Sequence, residues 1–336
     1  MIKKILKGGI YLAGCLLILA MGSLLYFRWE TNNREVEINR EIAPESGRYV
    51  SADDTQIFIQ ESGPIDGEPL LFIHGTGAWG EIWRETADPL NAAGYHTILV
   101  DLTPFGFSDR PSNQVYDQAS QAKRLLGVIE SLEVETITLV GHSFGGGPTV
   151  ETALSAPEKI ERLILLDVGN LVGPLPFEDR STEPGAVAKI ASISPLRNSV
   201  LSALVTNPRM SRRLLQTLIH DPANATDARV EMLQRPMPIE NSTHDFGLWL
   251  VENFLMPHPE FKANDPANYA VLDMPVLIIW GAEDTLTPLE QGEYMHEVIA
   301  GSELQIFEGV GHVPQVEDPD KLVDALLIFL AETSGD

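Results

Sequence analysis

The chain has 336 residues, 44% apolar and 21% charged, which suffices for one large core with an insertion. Its 27 Gly and 23 Pro, with no low-complexity tract or repeat, exclude collagen-like, solenoid and mainly disordered chains. With 48 acidic against 23 basic residues the formal charge is −25, so a phosphate backbone is repelled and no nucleic-acid partner is expected.

Residues 8–27 hold no charge over 20 positions, enough as a helix for a bilayer core of roughly 30 Å. Lys3, Lys4 and Lys7 precede the run and Arg28 follows it. The positive-inside bias therefore predicts residues 1–29 as a single-pass anchor, with a cytoplasmic N-terminus and the rest on the far, extracytoplasmic side. Cleavage near Ala20 or Ser23, and lipidation at Cys15 in Leu12-Ala13-Gly14-Cys15, compete with it. Cys15 is also the sole cysteine, which excludes an intrachain disulfide and a cysteine-built zinc cage. Beyond residue 28 the chain carries 19 basic and 48 acidic residues, so the body is not expected to adhere to anionic lipid by charge.

Residues 30–47 are polar without sustained apolar period and read as a tether. Short apolar runs follow at 56–60, 69–73, 96–102, 135–140, 162–166, 276–280 and 303–307, and helical periods at 118–132, 144–156, 290–299 and 320–331. Alternating strands and helices predict an α/β, doubly wound, mostly parallel sheet. The core is expected over 48–169 and 271–336. Residues 170–270 contain helical stretches but no clear strand, and are expected as a helical lid over the carboxyl edge of the sheet.

Gly141-His142-Ser143-Phe144-Gly145 lies between a strand and a helix, the context in which G-x-S-x-G presents a nucleophile. Ser143 must occupy a strained turn, and side chains at 141 and 145 would crowd it. The following helix directs N–H groups at developing negative charge.

From about residue 48 onward the chain resembles the α/β-hydrolases, in the lid-bearing subgroup of esterases, monoacylglycerol lipases, carbon–carbon bond hydrolases, epoxide hydrolases and haloalkane dehalogenases. The resemblance rests on Leu71 to Gly77, Asp101 to Pro111, the serine motif, Val276 to Asp284 and Gly309 to His312. Thr103 and Pro104 stand where the family usually has Pro and Gly. The resemblance implies backbone donors at Thr76 and Phe144 for an oxyanion, with Gly77 as an alternative, and a bracing role for His74.

A serine hydroxyl needs a base, and the base an acid. His312 lies in a Gly-flanked loop near the C-terminus, which suits the order serine, acid, histidine. His142 is turned away from Ser143 by the elbow and is expected to pack. His96, His220, His244, His258 and His296 lack a motif. Asp284 is the expected acid, with Glu283 and Asp167 as competitors.

Serine rather than aspartate at 143 disfavours attack on an sp³ carbon. A carboxylic ester, acyl or aromatic, with lipid-like substrates included, is the expected substrate. Carbon–carbon cleavage, lactonase or perhydrolase activity on the same triad, or a non-catalytic hydrophobic-ligand binding protein, are alternatives. No cofactor or metal is expected, since no H-E-x-x-H or comparable spacing occurs. In the insertion, Leu171, Leu175, Phe177, Phe246, Trp249, Phe254, Leu255 and Met256 are candidates to line an apolar pocket, with Trp249 and Phe254 as substrate-binding residues.

Overall fold

Eight short aliphatic runs pair into one sheet: β1 (Gly47–Ala52), β2 (Thr55–Ser62), β3 (Pro69–Ile73), β4 (His96–Val100), β5 (Ile137–His142), β6 (Ile160–Leu166), β7 (Val276–Gly281) and β8 (Glu303–Phe307). The computed structural model describes residues 2–169, 185–256 and 261–334, without the side chains of 2–10, 12, 13 and 17. The strand order is β1-β2-β4-β3-β5-β6-β7-β8, antiparallel where β2 pairs with β1 and β4, and parallel from β4 to β8. Every residue of β4, β5 and β7 is buried, as strands covered on both faces require.

In chain order the helices are α1 (Ile2–Arg34), α2 (Asn39–Ile42), α3 (Arg84–Ala92), α4 (Gln118–Ser131) and α5 (Gly146–Ser155). An insertion between β6 and β7 supplies α6 (Ala186–Ala191), α7 (Ser194–Leu204), α8 (Pro208–Leu218), α9 (Asp227–Gln234) and α10 (Ser242–Phe254). Then come α11 (Leu289–Val298), α12 (Pro314–Glu317) and α13 (Pro319–Glu332). The period of two along β3 sends Leu71 and Ile73 into a core with α4, α5 and α11, and Leu70 and Phe72 into a second core with α3 and α13. The connections after β3 and β5 thus leave toward opposite faces. That divergence opens a crevice at the carboxyl ends of these neighbouring strands, where α/β sheets hold their sites.

The amino-terminal helix runs beyond the 1–29 expected for an anchor, into the expected tether. It has 33 residues, but among the described residues no helix is long and apolar enough to cross a membrane. The continuous described stretch, 18–34, carries Arg28, Glu30 and Arg34 in its second half, and its last turns dock on the insertion. Thr31 is buried and Arg209 pairs with Glu30 at 2.6 Å. Residues after α1 also lie along the body: Val36 N–H donates to Pro238 O at 3.0 Å, and Asn39 Nδ2 donates to Phe107 O at 2.9 Å.

Glu35 performs the main local service. Helix α10 starts after Asn241, which is left-handed at φ 61° and makes no side-chain cap. The Glu35 carboxylate accepts from Thr243 N at 3.2 Å and from its hydroxyl, capping that helix from the foot of α1. Burial pushes the Glu35 carboxyl above its ordinary range, against the lowering effect of Thr243 and Arg34. Glu35→Ala should therefore destabilise the fold by about 1–2 kcal/mol. Hydrogen exchange followed by mass spectrometry should show faster exchange in the first turn of α10, and unchanged protection there would remove the cap.

Candidate active site

Strand β5 ends in Gly141 and His142, and the chain turns at Ser143 through one tight helical turn into α5. Ser143 has φ 51°, a left-handed conformation that costs an L-residue about 1–2 kcal/mol. The crowding is measurable: a Cβ at Gly141 would lie 2.5 Å from Thr149 Oγ1, and one at Gly145 would lie 2.9 Å from Ile73 Cγ2. Both positions therefore require glycine.

Three loops bring the remaining groups to the serine. His312, in the loop after β8, places Nε2 2.8 Å from Ser143 Oγ and Nδ1 2.7 Å from Asp284 Oδ2. Facing a carboxylate, Nδ1 carries the proton, so Nε2 is the acceptor for the Ser143 hydroxyl. Asp284, after β7, accepts from Leu286 N at 2.7 Å and Thr287 N at 2.9 Å on Oδ1, and from Thr287 Oγ1 at 2.5 Å on Oδ2. Burial raises its carboxyl, but His312 and Thr287 outweigh that and hold it below the ordinary range. His312 is fixed by its backbone: N–H donates to Leu218 O at 2.8 Å, and O accepts from His142 Nε2 at 2.7 Å.

The competing acids lie elsewhere. Glu283 turns to the β8 loop and accepts from Gly309 N at 3.1 Å. Asp167 is fully buried behind Asp284, accepts from Gly281 N at 2.9 Å, and is pushed by burial well above the carboxylate range. Asp167, Asp284 and His312 come within 4.8 Å of one another, a spacing a metal accepts. The ring nitrogens of His312 are already committed to Asp284 and Ser143, so this donor set is spent on the relay.

A profile of the alpha/beta hydrolase fold matches residues 68–319. The chain belongs to the α/β-hydrolase family. It is 29% identical over 307 residues to a 2-hydroxymuconate semialdehyde hydrolase of Pseudomonas sp. strain CF600, covering 87% of this chain and 96% of that one. Among solved structures it is similar to a meta-cleavage product hydrolase from Pseudomonas fluorescens IP01, at TM-score 0.69 and 25% identity, covering 86% of this chain and 99% of that one. It is also similar to a bacterial membrane phospholipase A, at TM-score 0.66 and 26% identity, covering 96% of this chain and 98% of that one.

In this hydrolase a cavity of about 990 Å³ opens beside Ser143 and His312. Thr76 and Phe144 both line it, and Phe144 lies in the helical turn that begins at Ser143, whose first N–H groups have no acceptor within the helix. Gly75 backs the serine so closely that a Cβ there would lie 2.9 Å from Ser143 Cβ. His74 braces this loop, donating from Nδ1 to Gly75 O at 2.8 Å and accepting from Leu102 N at 2.9 Å. The Thr103–Pro104 peptide in the departing loop is cis, and Asp101 accepts from Gly80 N and Phe107 N at 2.7 Å each.

Phe246, Phe254 and Met256 line the cavity. Trp249 does not: it is fully buried behind the wall, edge-on to Phe144 at 4.8 Å and Phe105 at 5.0 Å, so its assignment to substrate is corrected to support of the wall. Leu171, Leu175, Phe177 and His258 lie outside the described residues. The sequence reading missed Arg34, Glu35, Val205, Leu214 and Leu218, which line the arm of the cavity near α1 and α8. The amphipathic repeat of 208–218 was the available signal.

His142 offers a test of this packing. Its Nε2–H is committed to His312 O, Nδ1 has no partner, and burial, followed by the field of His312, pushes its pKa down to about 3. The unfolded chain takes up a proton near pH 6.5 that the folded chain refuses until about 3, so this residue withdraws stability as pH falls through that window. His142→Gln should make the slope of stability against pH less positive there, by up to about 1.4 kcal/mol per unit. Urea unfolding at a series of pH values measures it, and parallel slopes for both proteins would mean that His142 is protonated in the fold.

Proposed function

We propose that this hydrolase cleaves carboxylic esters of lipid-like acyl chains through an acyl-enzyme, with α1 holding it in a membrane. The observation that carries the reading is the Ser143–His312–Asp284 relay set in the wall of a large cavity whose arms are mainly apolar. His312 Nε2 takes the Ser143 proton as Oγ attacks the ester carbonyl. The N–H groups of Phe144 and Thr76 receive the oxyanion, a contribution of several kcal/mol to the barrier. Imidazolium, stabilised by Asp284, then returns the proton to the departing alcohol. Water repeats the sequence on the acyl-enzyme and releases the acid.

The insertion acts as a lid, covering the acyl chain and excluding water. For α1, a 33-residue helix, Lys3, Lys4 and Lys7 before the uncharged run, and exposed Leu16, Ile18, Leu19 and Leu25 support a single-pass anchor with a cytoplasmic N-terminus and an extracytoplasmic body. The likeness to a membrane phospholipase A extends over nearly the whole chain and supports the same reading.

Carbon–carbon bond cleavage is the second reading, favoured by the muconate semialdehyde hydrolase likeness. An anionic substrate of that kind calls for a cation beside the serine. Among the described lining residues the cations are Arg34 and Arg110, and each already faces a carboxylate, Glu35 at 3.1 Å and Asp245 at 3.8 Å. This balance of charge supports the neutral ester.

Ser143→Ala should abolish fluorophosphonate labelling and lower kcat on p-nitrophenyl esters by roughly 10⁴ or more, and adding His312→Ala should cost little further. Multiplicative losses in the double variant would show that the two residues do not act as a unit. Across a series of ester chain lengths, kcat/KM should rise up to roughly fourfold per methylene until the cavity is filled. Leu214→Ala and Phe254→Ala should move that preference while sparing the labelling of Ser143. A flat series in all three proteins, with turnover of a dienoate instead, would replace the ester by the carbon–carbon substrate.

A further inference from the structure

Helix α7 is built inside out. Its buried positions are Arg197, Asn198, Leu201 and Ser202, whereas its outward positions are Leu196, Val200 and Leu204, 47%, 37% and 54% exposed. Upstream, Val187 and Ile190 of α6 and Ile193 between the two helices are exposed as well. Spacings of three and four residues keep such side chains on one side. A helix facing water has the opposite arrangement, and an apolar patch of this extent marks a contact surface.

Three observations select the partner. Helix α7 packs against α1, the helix read above as the anchor, on which Leu16, Ile18, Leu19 and Leu25 are exposed too. Residues 185–219 contain Lys189, Arg197, Arg209, Arg212 and Arg213 but no Asp or Glu, in a chain of formal charge −25. Arg209 engages Glu30 and Arg212 engages Asp227, while Lys189 and Arg213 stand exposed. Finally, Val205 and Thr206, just past α7, line the cavity beside Arg34 and Glu35, so a surface seated on α7 also sits at that arm of the cavity.

We infer that the outward face of α6 and α7, alongside α1, is a docking surface for an anionic lipid bilayer, lying in its headgroup region. An apolar face that includes Lys189, in a segment of 35 residues with five cations and no acid, matches such an interface in both polarity and charge. The inference rests on the anchoring part of the proposed function and adds a second, electrostatic contact that orients the insertion and its cavity toward lipid.

The test uses the full chain in a Cys15→Ser background, with a fluorophore on Ile193→Cys or Leu196→Cys. Leu19→Cys on α1 and Ile65→Cys, a residue 81% exposed between β2 and β3, serve as references. The proteins are reconstituted in phosphatidylcholine vesicles with and without phosphatidylglycerol, carrying doxyl-labelled acyl chains. Labels at 193, 196 and 19 should be quenched and the label at 65 should not. Lys189→Gln with Arg213→Gln should weaken docking at 193 roughly fivefold per charge, in phosphatidylglycerol vesicles only. Quenching at 19 without quenching at 193 or 196 overturns the docking surface and leaves the anchor standing, whereas no quenching at any site overturns both. Energy transfer between labels on two chains, without lipid quenching at 193, assigns the face to a second copy instead. Ester turnover in the same samples reports the acyl-enzyme chemistry independently.

Discussion

The left-handed backbone at Ser143 is the constraint on which the site depends. A residue at φ 51° between a buried strand and a helix is held only because its neighbours leave it no other course. Gly141 and Gly145 admit Thr149 and Ile73 to within contact of the backbone, and the loop after β3 closes the other side through Gly75. Strand order makes this crowding possible. Adjacent strands β3 and β5 send their following helices to opposite faces, so the loops meet at the mouth of the divergence and nowhere else. The same geometry that strains the serine brings Thr76 and Phe144 to the cavity beside it.

Burial then decides which groups keep a charge. Asp284 and Asp167 occupy neighbouring turns behind one imidazole, yet the first receives His312 and three donor groups from Leu286 and Thr287, and the second a single backbone N–H. One carboxyl is held low and the other is driven up, so a single negative charge faces the ring. His74 and His142 are pushed down to about 4 and about 3, chiefly by burial. Of the three neighbouring rings, His312 is the one whose Nδ1 faces a carboxylate, at 2.7 Å. The loop after β3 and the backbone of His312 are thus braced by His74 and His142, groups whose burial disfavours a proton.

Much of this was legible in the residue order. G-x-S-x-G between an apolar strand and a helix locates the elbow, because the turn tolerates no side chain at its glycines. Loop-borne His312 is found by its order after the strand runs, whereas the choice of Asp284 over adjacent Glu283 came from the family resemblance. The insertion was less legible, since a helical period states which residues are amphipathic but not which face turns to the body. Trp249 illustrates the failure: a large aromatic in a pocket-forming helix reads as a contact residue, but it fills the space between Phe105, Phe144 and Phe246. Arg34 and Glu35 failed for the opposite reason. Their polar surroundings read as a tether, while their role comes from a contact with Thr243 more than 200 positions away.

That contact joins three parts that the sequence keeps apart. Glu35 ends the α1 segment, caps α10 and lines the cavity, and α10 carries Phe246 and Phe254 on the cavity wall and Trp249 behind it. Helix α8 closes a second path, because Leu218 O receives the backbone N–H of His312. A displacement of α1 relative to the insertion therefore reaches the wall through Glu35, and a displacement of α8 reaches the base through Leu218. Both helices adjoin the segment of the insertion that is apolar outside and polar within. The insertion thus touches the site at two ends, the cavity wall through Glu35 and the base through Leu218, while the doubly covered strand β5 carries the serine.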